Sequence, residues 1–254
     1  MPEEQRSAIN GLVNKLTRVC CVEWHTFLPR GVDSNSIVLD LGANHGSFSD
    51  KMQRYFGCFC HAIEASPILW RELNATRQYK VYNYALTDKN GMLEFNISTE
   101  DMGSSILDIT ETDRVDTVDV EGIRLDSFLD KYGIERVDLL KIDIEGAEVG
   151  MFDSLSDEFL QEVPQITVEF HDFCKVTPES EVKRISQRLE KLGFRYFRMS
   201  GHGNQDALFV NHKKVPISRL EQFYIRVVVR NLLGAMRVLL KALKINPRKY
   251  PYYI

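Results

Sequence analysis

Short apolar runs alternate along the chain with segments that predict helices. Ile37–Leu39, Cys58–Ile63 and Leu139–Ile144 each have the length and the β-forming residues of a buried strand. Each is followed by a segment that is expected to form a helix. Strands that alternate with helices in this way predict an α/β fold, with a mostly parallel central sheet and helices on both faces.

The alternation is interrupted by an insertion. A third strand is expected at Tyr79–Leu86, and the Asn90-Gly91 pair that follows is typical of a hairpin turn. Met92–Ile97 is expected to return antiparallel to that strand, so the sheet should carry an antiparallel hairpin insertion. A strand at Gln165–Phe170, an amphipathic helix and a final antiparallel strand pair are expected to complete the sheet.

The chain is expected to divide into three parts. Apolar residues between positions 9 and 19 recur at helical spacing, so residues 4–28 predict one or two helices within an N-terminal helical lead-in, residues 1–35. Residues 36–211 form the α/β domain, a length that one hydrophobic core can fill. Residues 212–254 predict a basic amphipathic C-terminal helix.

The last segment differs from the rest of the chain in charge. Residues 211–254 contain ten Lys and Arg residues and a single acid, Glu221, so their charge is +9, whereas the whole chain carries −4. Such a helix can dock on the acidic remainder of the chain or on a second subunit as a homodimer, and the same pattern also suits peripheral contact with an anionic membrane. Four basic residues within 225–243 exclude an ordinary membrane-spanning helix.

The composition is that of an ordinary globular protein, with 44% apolar and 27% charged residues. The small negative net charge provides no overall attraction to nucleic acid. The start of the chain lacks the features of a signal peptide, and its five cysteines show no Cys-x-x-Cys spacing. A cytoplasmic protein with reduced, mostly buried thiols is therefore expected.

The residues after the first buried strand predict a nucleotide-type cofactor pocket. Gly42 and Gly46 allow a tight turn that a ligand can approach closely, and the helix that follows directs its free N–H groups at the turn. A dinucleotide fingerprint would need a third glycine where Ser47 stands. Asp40 would repel a pyrophosphate but not the ammonium and sulfonium of S-adenosylmethionine, which favours a methyltransferase over an NAD-dependent oxidoreductase.

Glu64 is the expected partner of the cofactor's ribose. It follows the second buried strand, 22 residues after Gly42, where a carboxylate can accept hydrogen bonds from both ribose hydroxyls. An acid at this position could instead cap the next helix, but Ser66 is available for that role.

A second group of polar residues follows the later strands. Asp143 and Glu145 are two residues apart and are expected to share one face of their strand, and Glu169 and His171 end the next strand in the same way. Carboxylates there are too costly for an ordinary core position, although a salt-bridged cluster that caps a helix is an alternative. A histidine at a strand end is a candidate general base or a rim residue. Asp143, Glu169 and His171 could bind a divalent ion, but no metal is expected.

These features together resemble the FkbM family of S-adenosylmethionine-dependent methyltransferases. The resemblance covers roughly residues 36–172. It is carried by Asp40-Leu-Gly42-Ala43-Asn44-His-Gly46, by Glu64 and, most specifically, by Lys141-Ile-Asp143-Ile-Glu145-Gly146-Ala-Glu148. It implies a Rossmann-like class I methyltransferase fold and O-methylation of a hydroxyl on a sugar, a glycan or a secondary metabolite.

The mechanism expected of such an enzyme assigns roles to these residues. Contacts with S-adenosylmethionine are expected from Asp40, Gly42, Ala43, Asn44, Gly46, Glu64, Ala65, Ala85 and Asp143. Asp143 and His171 are the first candidates for the base that activates the acceptor hydroxyl, and Glu145 and Glu169 come next. The acceptor is a small molecule or a glycan. A non-catalytic module that keeps the cofactor pocket is the remaining alternative.

Overall fold

The computed structural model describes residues 18–98, 114–201 and 203–231, and residue 235. Its centre is a seven-stranded sheet. From one edge to the other the strands are β11 (Phe194–Arg198), β12 (Ala207–Asn211), β10 (Gln165–Val168), β9 (Leu139–Ile142), β3 (Ile37–Leu41), β4 (Phe59–Glu64) and β5 (Lys80–Asn83). The five strands from β10 to β5 are parallel, and β12 runs antiparallel to both of its neighbours. The prediction of a mostly parallel sheet is confirmed.

Strand β3 is the point at which the chain changes its direction of progress across the sheet. β4 lies on one side of β3 and β9 on the other. The connections that leave the carboxyl ends of β3 and β9 therefore diverge and open a crevice, which is where open α/β sheets bind ligands. This topology brings the glycine turn after β3 and the acidic stretch after β9 to the same edge of the sheet.

Helices cover both faces of the sheet, as predicted. They are α1 (Ser47–Phe56), α2 (Pro67–Thr76), α3 (Leu125–Tyr132), α4 (Glu148–Ser154), α5 (Asp157–Glu162), α6 (Glu179–Leu192) and α7 (Arg219–Phe223). Along β3, Val38 packs into the core cluster that contains residues of α1 and α2, whereas Leu39 packs into the cluster that contains residues of α3 to α6. Phe128 and Phe152 are fully buried in the second cluster, and each such side chain contributes about 1.5–3 kcal/mol of hydrophobic stabilisation.

The helical prediction for residues 4–28 is wrong over the part that the structure describes. Residues 20–27 form an antiparallel hairpin of β1 (Cys20–Val22) and β2 (His25–Phe27), followed by a 3-10 turn at Pro29–Gly31. Glu23 and Trp24 both have positive φ, at 45° and 70°, which suits a tight hairpin turn and is incompatible with a helix. All six strand residues are buried, so the sequence shows no alternation. Residues 1–17 lie outside the described residues.

The insertion after β5 forms a sheet of its own. Its strands are β6 (Ala85–Leu86), β7 (Gly91–Ser98) and β8 (Arg114–Ile123), with β8 in the middle, parallel to β6 and antiparallel to β7. An antiparallel hairpin insertion is thus present, but the predicted pairing of 79–86 with 92–97 is wrong. The side chain of Asn90 accepts from the backbone N–H of Arg124 at 2.8 Å and donates to Ser127 at 3.0 Å, so this turn is bound to the start of α3.

The C-terminal helix begins later than predicted. It starts at Arg219, where Ser218 caps α7 by accepting from the backbone N–H of Glu221 at 3.2 Å, and it continues as a π-helical segment, Tyr224–Val229. Ile225 and Val229 of this segment are fully buried against the sheet. Apart from residue 235, the rest of the predicted helix lies outside the described residues. No helix in the described ranges has the length and apolar character needed to cross a membrane.

Candidate active site

The turn between β3 and α1 brings backbone, rather than side chains, to the crevice. Gly42 has a φ of 76°, and a Cβ added there would collide with the carbonyl oxygen of Asp143. Gly42 and Ala43 each donate a backbone N–H to the carbonyl oxygen of Ile63 at 3.0 Å, which binds the turn to β4. Gly46, with a φ of 77°, precedes α1 and has no room for a side chain. The turn predicted from the glycine spacing is therefore present.

Asp40 lies beneath this turn. Its side chain is fully buried, accepts from Ser49 at 2.7 Å and pairs with Nζ of Lys141 at 3.0 Å. Lys141 also donates to the carbonyl oxygen of Gly42 at 2.6 Å. Burial lowers the pKa of Lys141, but the negative charges of Asp40 and Asp143 outweigh this and raise it, so the ammonium persists. Asp40 thus shapes the turn through Lys141, and it is not among the residues that line the cleft.

The crevice is a cleft of about 660 Å³, including space open to solvent. It is lined by Gly42, Asn44, Ile63, Glu64, Ala65, Leu69, Tyr84, Ala85, Leu86, Phe95, Asp143, Ile144, Glu145 and Ala147. Six of the nine residues predicted to contact the cofactor are among them: Gly42, Asn44, Glu64, Ala65, Ala85 and Asp143. The other three, Asp40, Ala43 and Gly46, are buried and do not line the cleft.

Glu64 presents its carboxylate to the cleft as predicted. One carboxylate oxygen accepts from the backbone N–H of Asn44 and the other from that of Ser66, each at 2.8 Å. Burial raises the pKa of Glu64 to about 7, although these two hydrogen bonds lower it in part. Ser66 caps α2 by accepting from the backbone N–H of Leu69. Each oxygen of Glu64 retains capacity for another donor, so the carboxylate fits a diol such as ribose.

The wall beyond Glu64 is apolar. Ala65, Ala85 and Phe95 pack together there, and Leu69 lies beside them in the lining. Sequence analysis placed Ala65 and Ala85 but missed Phe95 and Leu69. Phe95 belongs to β7, whose pairing was mispredicted, and only the alternation of apolar residues along that strand could have indicated an inward position. The apolar slot next to the Glu64 carboxylate has the character of a site for a flat, apolar ring.

The acidic stretch after β9 forms the other end of the cleft. Asp143 and Glu145 line it with side chains that are 28% and 36% exposed. Nε2 of His171 lies 3.0 Å from Oε2 of Glu145 and 3.9 Å from Oδ1 of Asp143, and Nδ1 lies 2.8 Å from Oε1 of the buried Glu148. Glu148 also accepts from the backbone N–H of Gly146 at 2.9 Å, so the cluster stabilises the start of α4 as well.

The protonation states of this cluster differ from those expected from the sequence. Burial lowers the pKa of His171, but hydrogen bonds to Glu145 and Glu148 outweigh it and raise the pKa to about 11. The raised pKa favours the imidazolium form of His171 and disfavours a role as general base, which stays a prediction. Burial raises the pKa of Asp143, but the charge of Lys141 and both nearby histidines lower it overall. Burial and the charge of Asp143 raise the pKa of Glu169 to about 8.

His25 is a member of this cluster that sequence analysis missed. Its side chain is 1% exposed, and Nε2 lies 3.8 Å from Oδ2 of Asp143. His25 lies next to Asp143 because the β1–β2 hairpin packs over β10. More than a hundred residues separate the two along the chain, so no local sequence pattern could indicate this contact. Donor atoms of His25, Asp143 and Glu169 lie within 4.8 Å of one another, as do those of Asp143, Glu145 and His171, so either set could hold a metal ion.

The chain is similar to one known protein family and to several known methyltransferases. A family model described as "Methyltransferase FkbM domain" matches residues 40–196, more than half of the chain. Methyltransferase sdnD of Sordaria araneosa is 28% identical over 206 residues, which cover 67% of this chain and 78% of that protein. The 2-O-methyltransferase NoeI of Sinorhizobium fredii is 24% identical over 131 residues, covering 44% of this chain and 54% of that protein.

Among solved structures, precorrin-6y C5,15-methyltransferase from Geobacter metallireducens aligns over 70% of this chain and 81% of that chain, with 10% identity and a TM-score of 0.39. The α/β fold follows from the strands and helices described above, and the family from the match over residues 40–196.

Proposed function

Because the chain belongs to the FkbM family of methyltransferases, we propose that it transfers a methyl group from S-adenosylmethionine to a hydroxyl oxygen of a sugar, a glycan or a secondary metabolite. The observation that carries this proposal is the arrangement of the cleft, which has Glu64 and an apolar wall at one end and the cluster around Asp143 at the other. When bound, S-adenosylmethionine supplies an electrophilic methyl group on a sulfonium.

The residues of the cleft fit this cofactor. Glu64 would accept from both ribose hydroxyls, and Ala65 and Ala85 would pack against the adenine. The backbone at Gly42 and Asn44 borders the same space. Asp143 and Glu145 place negative charge in the lining, which favours a cationic donor over the pyrophosphate of a nicotinamide cofactor.

The cluster around Asp143, at the end of the cleft opposite Glu64, would supply a base for the acceptor hydroxyl. A hydroxyl becomes nucleophilic as it loses its proton, and a positioned base contributes about 10²–10⁴-fold in rate. Glu169 is the proposed base, because its carboxylate lies near Asp143 and, with a pKa of about 8, is a stronger base once ionised than an ordinary carboxylate. Asp143, with a lowered pKa, is a weak base and is assigned to positioning together with His171 and Glu145.

We also propose that the reaction needs no metal. Lys141 and the protonated His171 already bring two positive charges to the carboxylates, with Nζ of Lys141 3.7 Å from Oδ2 of Asp143. These cations satisfy the acids that would otherwise require a divalent ion. Transfer to oxygen, rather than to nitrogen or carbon, is further suggested by the 2-O-methyltransferase NoeI, although only 44% of this chain matches that protein.

A turnover screen tests the proposal. The purified chain is incubated with S-adenosylmethionine, excess chelator and a panel of sugars, glycans and hydroxylated metabolites, and formation of S-adenosylhomocysteine is followed. We expect acceptor-dependent turnover with at least one hydroxylated compound. Tight binding of S-adenosylhomocysteine without turnover on any acceptor would instead indicate a non-catalytic module, and activity that returns only with a divalent ion would contradict the metal-free scheme.

A further inference from the structure

We propose that the outer face of the C-terminal helical segment, residues 219–231, docks on an anionic lipid surface. Among the large apolar side chains that this segment exposes to solvent are Leu220, which is 83% exposed, Phe223 at 62% and Val227 at 42%. They are separated by three and four residues, which places them on one side of the helix. We call Leu220, Phe223 and Val227 the outer strip.

The side of the helical segment opposite the outer strip packs against the core of the protein. On the opposite side of the segment, Ile225 and Val229 are fully buried in the core cluster that also contains residues of the β1–β2 hairpin. Arg226 donates to the carbonyl oxygen of Tyr196 at 3.1 Å. One apolar side of the helix therefore packs against the core of the chain. The outer strip forms a second apolar side, which packing within the described residues does not require.

The charge beside the outer strip is positive. Arg219, Arg226 and Arg230 recur at spacings of seven and four, along one flank of the strip. Glu221, the acid of this segment, is buried and pairs with Arg30, so it does not offset them. The remaining sequence, residues 232–254, adds five Lys or Arg residues and no Asp or Glu.

This combination fits a lipid surface better than a protein surface. Apolar side chains next to arginines can enter the boundary between acyl chains and head groups while the arginines contact anionic phosphates. The acidic remainder of a second copy, with a charge of −13 over residues 1–210, would satisfy the arginines. That negative charge offers no apolar layer to Leu220 and Phe223, whereas an anionic lipid surface offers phosphates to the arginines and acyl chains to the outer strip.

Vesicle flotation of the full chain tests this inference. We expect the protein to float with phosphatidylcholine vesicles that contain phosphatidylglycerol, to stay unbound with phosphatidylcholine alone, and to dissociate as salt is raised. The double variant Leu220→Ser/Phe223→Ser should bind about tenfold more weakly, because it loses two apolar side chains from the interface. Arg219→Gln should weaken binding to the anionic vesicles as well.

Met92→Ser is the matched control, since Met92 is 68% exposed on β7, and it should bind as the unaltered chain does. Thermal unfolding verifies that each variant is folded. Equal binding to neutral and anionic vesicles, or unchanged binding by the double variant, would overturn the inference. A dimer in analytical ultracentrifugation that the double variant dissociates, with no vesicle binding by the unaltered chain, would assign the outer strip to a second copy and would also overturn it.

Discussion

Nε2 of His171 lies 3.0 Å from Oε2 of Glu145, and this contact joins the loop after β10 to the loop after β9. Because Glu148 holds the other ring nitrogen at 2.8 Å, the imidazole stays protonated between two carboxylates. A group that already carries its proton cannot remove one from an acceptor. The pKa of Glu169 is about 8, so this carboxyl changes its charge close to neutral pH.

Glu169→Gln should reduce methyl transfer by about 10²–10⁴-fold, because the amide cannot accept the hydroxyl proton. The affinity for S-adenosylhomocysteine should stay unchanged, since Glu169 does not line the cofactor cleft. In the unaltered enzyme the rate should rise with pH up to about 8, as Glu169 ionises. Glu158→Gln, at an exposed position on α5, is the control. Normal turnover by the Glu169 variant would remove this residue from the mechanism.

Asp143→Asn should keep the fold and reduce turnover severely. The negative charge of Asp143 raises the pKa of Glu169, so its removal should move the rise of the pH–rate profile to lower pH. Glu169 then becomes a weaker base, which explains part of the lost rate. The loss of the ion pair between Asp143 and Lys141 explains the remainder. Circular dichroism and pH–rate profiles measure both effects. A variant with the original profile and full turnover would show that Asp143 acts on neither Glu169 nor the reaction.

Glu64→Ala should weaken the binding of S-adenosylhomocysteine by about 10–100-fold, the effect of removing hydrogen bonds to a charged acceptor. The pKa of Glu64 is about 7, and protonation removes part of its capacity to accept, so the affinity of the unaltered chain should fall as the pH drops below 7. Calorimetry at several pH values tests both statements. Glu72→Ala, exposed on the same α2, is the control. Equal affinities of the two variants would refute the ribose assignment.

Gly42→Ala and Gly133→Ala form a matched pair, because both glycines have positive φ, at 76° and 61°. A Cβ at Gly133 meets open space, so the free energy of unfolding of that variant should fall only by the conformational cost of alanine at positive φ, about 1–2 kcal/mol. A Cβ at Gly42 collides with the carbonyl oxygen of Asp143, which adds about 1–3 kcal/mol and displaces the cleft wall. Urea unfolding and cofactor calorimetry should separate the two, and identical losses would contradict the close approach of the two loops.

The parts of the site that the sequence predicted are those determined by local geometry. Gly42 and Asp143 directly follow buried strands and Glu64 is the last residue of one, so the strands determine their positions along the sheet edge. For Asp40 the same argument does not say on which side of its strand the side chain points. Its side chain faces Ser49 of α1, away from the cleft.

The missed features depend on contacts between distant segments. His25 reaches Asp143 through a hairpin in which every strand residue is buried, so its sequence has neither the alternation of an exposed strand nor the period of a helix. Phe95 reaches the cleft because β7 pairs with β8 rather than with the strand before it. The protonated state of His171 likewise depends on Glu148, whose approach follows from the packing of α4 against the sheet edge.

The central claim, methyl transfer to oxygen, is tested most directly by locating the methyl group on a product. The enzyme is supplied with S-adenosylmethionine that carries a carbon-13 methyl group, and the purified product of the best acceptor is examined by NMR. The account predicts a labelled methyl group bonded to a hydroxyl oxygen, and labelling by Glu169→Gln that is slower by about 10²–10⁴-fold under the same conditions. A label on nitrogen or carbon, or equal labelling by that variant, would contradict it.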